Sequence, residues 1–497
     1  MIPCRAAFGP DGAEESDMTT ATLTWIGLGL YAAVAAALAI RGARKTATVA
    51  SYAVGGRDLP PWVVGLSLSA QLTSVATFVV NPGLVAHYGL AALLGYGVAA
   101  GFGITVGLMV LSGPFRETGA RVMALTIPQW IGTRWESKGL RVAFSGLSLG
   151  LLAFATLIVV ALALVLSRLL GVPAEMVAAG ILLYVLLAMA MGGATAHAWI
   201  NAVQAIVMLV VAVLLVGTAV GQAAPFGGVL ARLAAVNPSL ATAVNPGSPF
   251  FRNVFEVFFC NLLVGLAIVG QPHILSKALY LADGRQVRRY LGVAIGAGLV
   301  FMAVLWVGIA ARLTLPELPR IDLVVPAWLA GTFGPGLSVV VAIGLVCAGL
   351  STLEGIFLAL ASILSVDVHP LLPGAKPEKA LRFGRLGLVA VALACLFLAR
   401  WQLAHPTGGS VAIFAQYGIY LLFTASSVPL VAGMFLPRAR RGAVTLSAAV
   451  AVAVYVAAGT LKLGTLSNNP AVLATWGLLA SWAVLGASLL LQGRREG

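Results

Sequence analysis

Apolar residues run in long blocks along this chain, with polar residues gathered in short gaps between them. Crossing the hydrocarbon core of a bilayer takes about 20 apolar residues of helix. Blocks of that kind fall at residues 21–40, 62–88, 90–113, 142–169, 174–192, 199–221, 253–276, 290–313, 336–366, 385–402, 411–436, 442–461 and 470–492. They predict an all-α polytopic membrane protein of about thirteen helices, numbered spans 0 to 12. Residues 1–17 are polar and acidic (Asp11, Glu14, Glu15, Asp17), the reverse of a signal peptide's basic start. Residues 1–19 are therefore expected to be a disordered extracytoplasmic tail and 20–41 an accessory span 0.

Composition agrees: of 497 residues, 60% are hydrophobic and 9% charged, where a soluble domain carries roughly a quarter charged. Cys4, Cys260, Cys347 and Cys395 are scattered and form no CxxC pair. The net charge of +14 would suit nucleic acid, but its placement argues otherwise. Of 30 Lys and Arg, 22 fall in one alternate set of loops: Arg41–Arg57, Arg116–Arg141, Lys277–Arg289, Lys376–Arg385, Arg438–Arg441 and Arg494–Arg495. The other set, with the N-terminal tail, holds 8. Positive charge collects on the cytoplasmic side. The N-terminus is thus expected outside an inner (plasma) membrane and the C-terminus in the cytoplasm. The basic loops face anionic lipid, and no nucleic-acid partner is expected.

Two spans are punctuated. Span 1 carries Gln71, Thr73, Ser74 and Thr77, then Asn81-Pro82-Gly83. Span 6 carries Asn261, Gly265, Gly270 and Gln271-Pro272-His273. Interrupted backbone at membrane depth is tolerated only in protein or along a cavity, and paired interruptions mark transporter sites. Spans 1–5 (residues 60–222) and 6–10 (251–437) make two sets of five. An odd-numbered unit repeated in tandem comes out inverted. The positions therefore imply a 5+5 inverted repeat with one extra N-terminal helix and two extra C-terminal helices at 441–492.

Span 8 holds the most expensive residue. Glu354 lies within an apolar stretch from Leu337 to Val366, and a carboxylate there costs about 2.5–3.5 kcal/mol by insertion scales. Ser351-Thr352 precede it and offer the oxygens a hard cation prefers. Ala348, Thr352, Gly355, Ala359 and Ser362 form a small-residue face, which reads either as a close-packing seam or as a cation seat.

Several stretches resemble the sodium:solute symporter family, whose members carry sugars, proline, pantothenate, sialic acid and similar solutes. They are Tyr52-Ala-Val-Gly-Gly-Arg-Asp-Leu-Pro60, Pro82-Gly83 with Gly89, Thr126-Ile-Pro-Gln-Trp130 with Arg134, Gly192-Gly193 with Trp199 and Gln204, Gly270-Gln-Pro-His-Ile-Leu275, and Leu350-Ser-Thr-Leu353 with Asp367. The resemblance implies a LeuT-like core and uptake of a small solute driven by sodium, the transported ion. It places one sodium on the carbonyls of Ala70, Thr73 and Ala348 and the hydroxyls of Ser351 and Thr352. It places solute contacts on the broken spans and span 10, where the candidates are Gln71, Thr77, Phe258, Asn261, Gln416 and Tyr417.

The sequence departs from the family in one place. Where the family has an aspartate in span 5, this chain reads Trp199-Ile-Asn-Ala-Val-Gln204, while Glu354 falls where some members have a serine. Asn201 and Glu354 are thus candidates for a second cation site, or for a proton site, since a carboxylate buried without a cation sheds its charge by binding a proton. The alternative function is a proton-coupled symporter using Glu354. An embedded enzyme or a channel is a more distant alternative. Gly146-Leu-Ser-Leu-Gly150 spells a nucleophile motif, but inside a membrane block rather than a strand–turn–helix. The five histidines show no HExxH spacing. No enzyme is expected. The solute and the oligomeric state are not legible. Met18 opens the segment that runs into span 0, so intact-mass analysis of the native protein is expected to find Met18 at its N-terminus.

Overall fold

A computed structural model describes residues 10–224, 228–405, 411–461 and 468–496. Among them there is no β-strand; the chain is a bundle of helices. Ten helices are long and apolar enough to cross a membrane, and two further spans are broken pairs, each bent by 55°. The 50-residue helix Ala174–Ala223 counts once in that tally. At 1.5 Å per residue it would run more than twice the ~30 Å of a bilayer core. It is divided at Gly193, whose φ of 59° and ψ of −167° belong to a region open essentially only to glycine. Spans 4 and 5 are its two arms, which restores the thirteen expected helices. Span 0 begins earlier than expected: its helix runs Pro10–Ala43, taking in part of the acidic tail. Residues 1–9 lie outside the described residues.

The broken spans carry the inverted symmetry. Span 1 is Pro61–Leu72 followed by Ala76–Tyr88; span 6 is Phe255–Ile268 followed by Pro272–Tyr280. In span 6 the break falls where the sequence punctuates it, with Pro272 opening the second half. In span 1 it does not. The helix stops at Leu72, well before Asn81-Pro82-Gly83. Ser74 makes the break: its Oγ accepts from Ala76 N at 3.2 Å, and its carbonyl accepts from Thr77 N at 2.9 Å. Pro82 is absorbed without a stop because the five residues before Asn81 form a π-turn, which accommodates its missing N–H.

Span 8, Pro335–Ile363, is the axis of the bundle: 72% of its apolar window is enclosed, against 17% for span 0. It packs on spans 1, 3, 5 and 9 and on span 0. The remaining spans are 2 (Leu90–Arg121), 3 (Lys138–Leu170), 7 (Gly284–Thr314), 9 (within Pro377–Ala404), 10 (Val411–Phe435), 11 (Arg441–Thr460) and 12 (from Pro470). Gly355 leaves room for the Gln71 side chain of span 1, whose amide lies where a Cβ would stand. At the joint of spans 4 and 5, Tyr52 OH donates to Met189 O at 2.9 Å and Thr46 Oγ1 reaches Gly192 O at 3.3 Å. A side chain at Gly193 must adopt the glycine-only backbone. Gly193→Val is therefore expected to cost about 2 kcal/mol, read as a lower unfolding midpoint in detergent, while Gly217→Ala, within a helix and with open space around it, does not lower the midpoint.

Candidate functional site

The break in span 1 leaves the last carbonyls of its first half without their full set of i+4 helical partners. Span 8 crosses there. Ser351 Oγ donates to Ala70 O at 2.9 Å and lies 3.0 Å from Ala348 O; Thr352 Oγ1 donates to Gln71 O at 3.0 Å. Thr73 occupies the break itself, its N–H on Ala70 O at 3.2 Å. All these residues are buried. Ala70, Ala348, Ser351 and Thr352 are thus brought into one cluster with Thr73 beside them. Gln71 joins through its carbonyl, which the sequence did not single out, while its side chain lies over Gly355.

A second polar layer abuts the first. Asn201 Nδ2 donates to Ser351 O at 3.3 Å and lies 3.4 Å from His197 Nε2. Glu354 points away from the Ser351 hydroxyl toward spans 4 and 5. Its Oε1 accepts from Tyr184 OH at 3.1 Å and Gln204 Nε2 at 3.4 Å, and its Oε2 lies 3.7 Å from His197 Nδ1. Tyr31 of span 0 closes the ring, 3.0 Å from Tyr184 OH and accepting from Gln204 at 2.6 Å. Several buried polar atoms of this interior have no protein partner, His197 Nδ1 and His273 Nδ1 among them. Gln71 Oε1, Asn201 Oδ1, Gln204 Oε1, Gln271 Oε1 and Glu354 Oε2 are buried with no protein donor, a donor set suited to a hard cation.

The solute candidates divide. Gln71 and Thr77 flank the break. Asn261 spends its amide on its own span, donating to Glu256 O at 2.8 Å and Val257 O at 3.2 Å, where it secures the π-turn Phe255–Cys260. Phe258 packs in an apolar cluster with Phe251 and Leu157. Gln416 bonds Tyr96 of span 2, and Tyr417 accepts from Tyr455 OH at 3.1 Å through its carbonyl. Glu256 is paired with Arg252 at 2.5 Å. A cavity of about 310 Å³ opens toward the face opposite the basic loops, with Val79, Leu157, Val160 and Leu345 in its walls and Arg168, Arg320 and Asp322 among its lining. On the basic side a cavity of only about 20 Å³ is lined by Gln71, Thr126, His197, His273, Gly355 and Ser362.

Three features were not legible beforehand. Lys277, counted among the basic loop residues, is 1% exposed and donates to Ser67 Oγ at 2.6 Å; the second half of span 6 carries it inward. Tyr31 belongs to a span read as accessory. Asp367 and Thr126 were noted as separate motifs, but they meet. Asp367 accepts from Thr126 Oγ1 and Arg141 Nε at 2.6 Å each, and Arg141 Nη2 also bonds Val366 O at 2.6 Å. This latch ties the end of span 8 to Thr126 in the loop after span 2 and to Arg141 at the start of span 3. The Gly146–Gly150 motif is helical, with Ser148 Oγ bonded to Phe144 O at 2.7 Å, and offers no nucleophile.

Two oppositely inserted broken helices around a carbonyl-and-hydroxyl cluster at a helix crossing define a secondary transporter of LeuT-like architecture. Residues 52–449 match the sodium:solute symporter family, and the chain belongs to that family. It is a multi-pass membrane transporter, not an enzyme, and sodium is its transported ion. The chain is 25% identical to the sodium/pantothenate symporter of Escherichia coli (strain K12), over 89% of this chain and 92% of that one. In fold it resembles a sodium-coupled sialic acid symporter in its substrate-bound outward-open state, with a TM-score of 0.80 at 15% identity, covering 94% of this chain and 97% of the other. It also resembles a nucleobase-cation-symport-1 family transporter in a closed conformation, with a TM-score of 0.52 at 16% identity over 90% and 96%.

Loss of the latch carboxylate removes two charged hydrogen bonds. Asp367→Asn is expected to lower stability by about 2 kcal/mol, measured by unfolding in detergent, with Arg141→Ala costing a similar amount by removing the shared Arg141–Asp367 bond and the bond to Val366 O.

Proposed function

We propose that this protein imports a small organic solute by alternating access, with one sodium held between span 1 and span 8 by the carbonyls of Ala70, Thr73 and Ala348 and the hydroxyls of Ser351 and Thr352. The observation that carries this reading is the reach of both span 8 hydroxyls to the carbonyls freed at the break, Ala70 and Gln71. Such a seat can form only while the two spans touch. A motion that separates them releases the ion and changes solute access together. The core is read as two inverted five-helix repeats, residues 60–222 and 251–437. The basic loops are read as cytoplasmic, an assignment that survives the withdrawal of Lys277 from the loop charges.

The driving force suffices for scavenging. One charge crossing 100 mV contributes about 2.3 kcal/mol and a tenfold sodium gradient about 1.4 kcal/mol. Together they support roughly 500-fold accumulation of a neutral solute per sodium. Asn201 and Glu354 are read as an adjoining second site for a cation or a proton, because Asn201 bridges directly to Ser351.

Uptake into proteoliposomes, with and without a sodium gradient, tests the reading, using a solute panel that begins with the relative's pantothenate. Concentrative uptake that collapses without sodium is expected. Ser351→Ala and Thr352→Ala should each raise the half-saturating sodium concentration by about tenfold, the loss of one ligand of roughly 1.4 kcal/mol. Sodium half-saturation unchanged in both variants would remove the site. Glu354→Gln should alter the sodium or the pH dependence of uptake; identical profiles in both would leave Glu354 a structural hydrogen-bond acceptor.

A further inference from the structure

Among the described residues, Lys277 is the one lysine or arginine enclosed by protein. Its ammonium donates to Ser67 Oγ at 2.6 Å and lies 5.2 Å from the centre of the Tyr280 ring. Among the described residues no carboxylate lies within ion-pair distance of it. A bare ammonium in a membrane protein interior is costly to keep, and packing alone would be served as well by an apolar side chain.

Its position relates it to the cation seat. Ser67 stands three residues before Ala70 and four before Gln71 on one unbroken helix. The ammonium's anchor, Ser67, is therefore about one turn, roughly 5 Å along the axis, from the two residues whose carbonyls span 8 engages. The second half of span 6, which carries Lys277, packs against the first half of span 1 and against span 8. The charged and titratable groups around this layer are Glu354 of span 8, His197 of span 5 and His273 of span 6, with Tyr31 and Tyr184 behind Glu354. Glu354 is the buried carboxylate of this layer. It offsets the ammonium from a distance without joining it.

We propose that Lys277 is a positioning residue whose ammonium holds down the sodium affinity of the neighbouring seat, so that an ion on Ala70, Ser351 and Thr352 is released readily to the cytoplasm. This rests on the assignment of those residues as sodium ligands. A like charge about one helical turn from the seat, at an effective dielectric near 20, weakens binding by about tenfold after partial compensation by Glu354.

Sodium itself is the probe, so the unidentified solute is not needed. Binding of radioactive sodium to the purified full-length protein is titrated at constant ionic strength with choline, and sodium-dependent thermal stabilisation is read in parallel. Lys277→Met should lower half-saturation about tenfold, and Lys277→Arg, which keeps the charge, should stay within about twofold of the native value. Ser67→Asp places a countercharge beside an intact Lys277 and should also tighten sodium binding, which decides the matter if Lys277→Met does not fold. Unchanged or weaker binding in Lys277→Met, or in Ser67→Asp where that variant has to decide, overturns the proposal. So does an effect of Lys277→Arg as large as that of Lys277→Met, since packing rather than charge would then be responsible. Ser351→Ala is measured alongside. If it leaves half-saturation unchanged, the seat itself is misassigned; if it weakens binding while Lys277→Met does nothing, only the role of Lys277 fails.

Discussion

Everything at the centre of this protein depends on backbone carbonyls that a helix has been made to surrender inside a membrane. An intact helix satisfies its own oxygens and has nothing to offer an ion. By stopping at Leu72 and restarting at Ala76, span 1 releases carbonyls that have no water to turn to. They must be met by protein donors or by a cation, and span 8 presents Ser351 and Thr352 at that level. The small residues of span 8 serve the same requirement. With Gly355 leaving room for the Gln71 side chain, short hydroxyls reach across to span 1.

Around this seat the chain balances charge sparingly. Glu354 and Lys277 are both enclosed, and neither touches an opposite charge closely. Each is held instead by neutral partners: Tyr184 and Gln204 for the carboxylate, Ser67 for the ammonium. A direct ion pair would be stable and inert. Charges solvated by hydroxyls and amides remain able to respond when a further charge arrives, as transport requires. Where the carboxylate pairs tightly with a cation, at Asp367 with Arg141, it lies at the end of span 8 and fastens a loop.

Most of the architecture was legible because the bilayer imposes it. Long apolar blocks gave the helix count, including the two arms that meet at Gly193, and the paired Pro/Gly clusters pointed to spans 1 and 6. The meeting of Ala70 with Ser351 was anticipated through family resemblance rather than from spacing. What stayed hidden depends on local geometry. Asn81-Pro82-Gly83 looks like a breaker, yet a π-turn absorbs it while Ser74 makes the real break. Lys277 resembles a loop cation because hydropathy cannot register that a half-helix turns it inward. Asn261 looks like a solute ligand until its amide is seen on the carbonyls of its own turn.

Span 0 crosses the membrane at the rim of the bundle, mostly against lipid, and in outline it looks like an added anchor. Tyr31 contradicts that appearance, because its hydroxyl completes the hydrogen-bonded ring behind Glu354. Shortening the chain to its ten-helix core, an obvious economy in engineering a smaller carrier, would therefore open this ring to acyl chains and strip Gln204 of its best partner. The periphery of this bundle reaches to its middle.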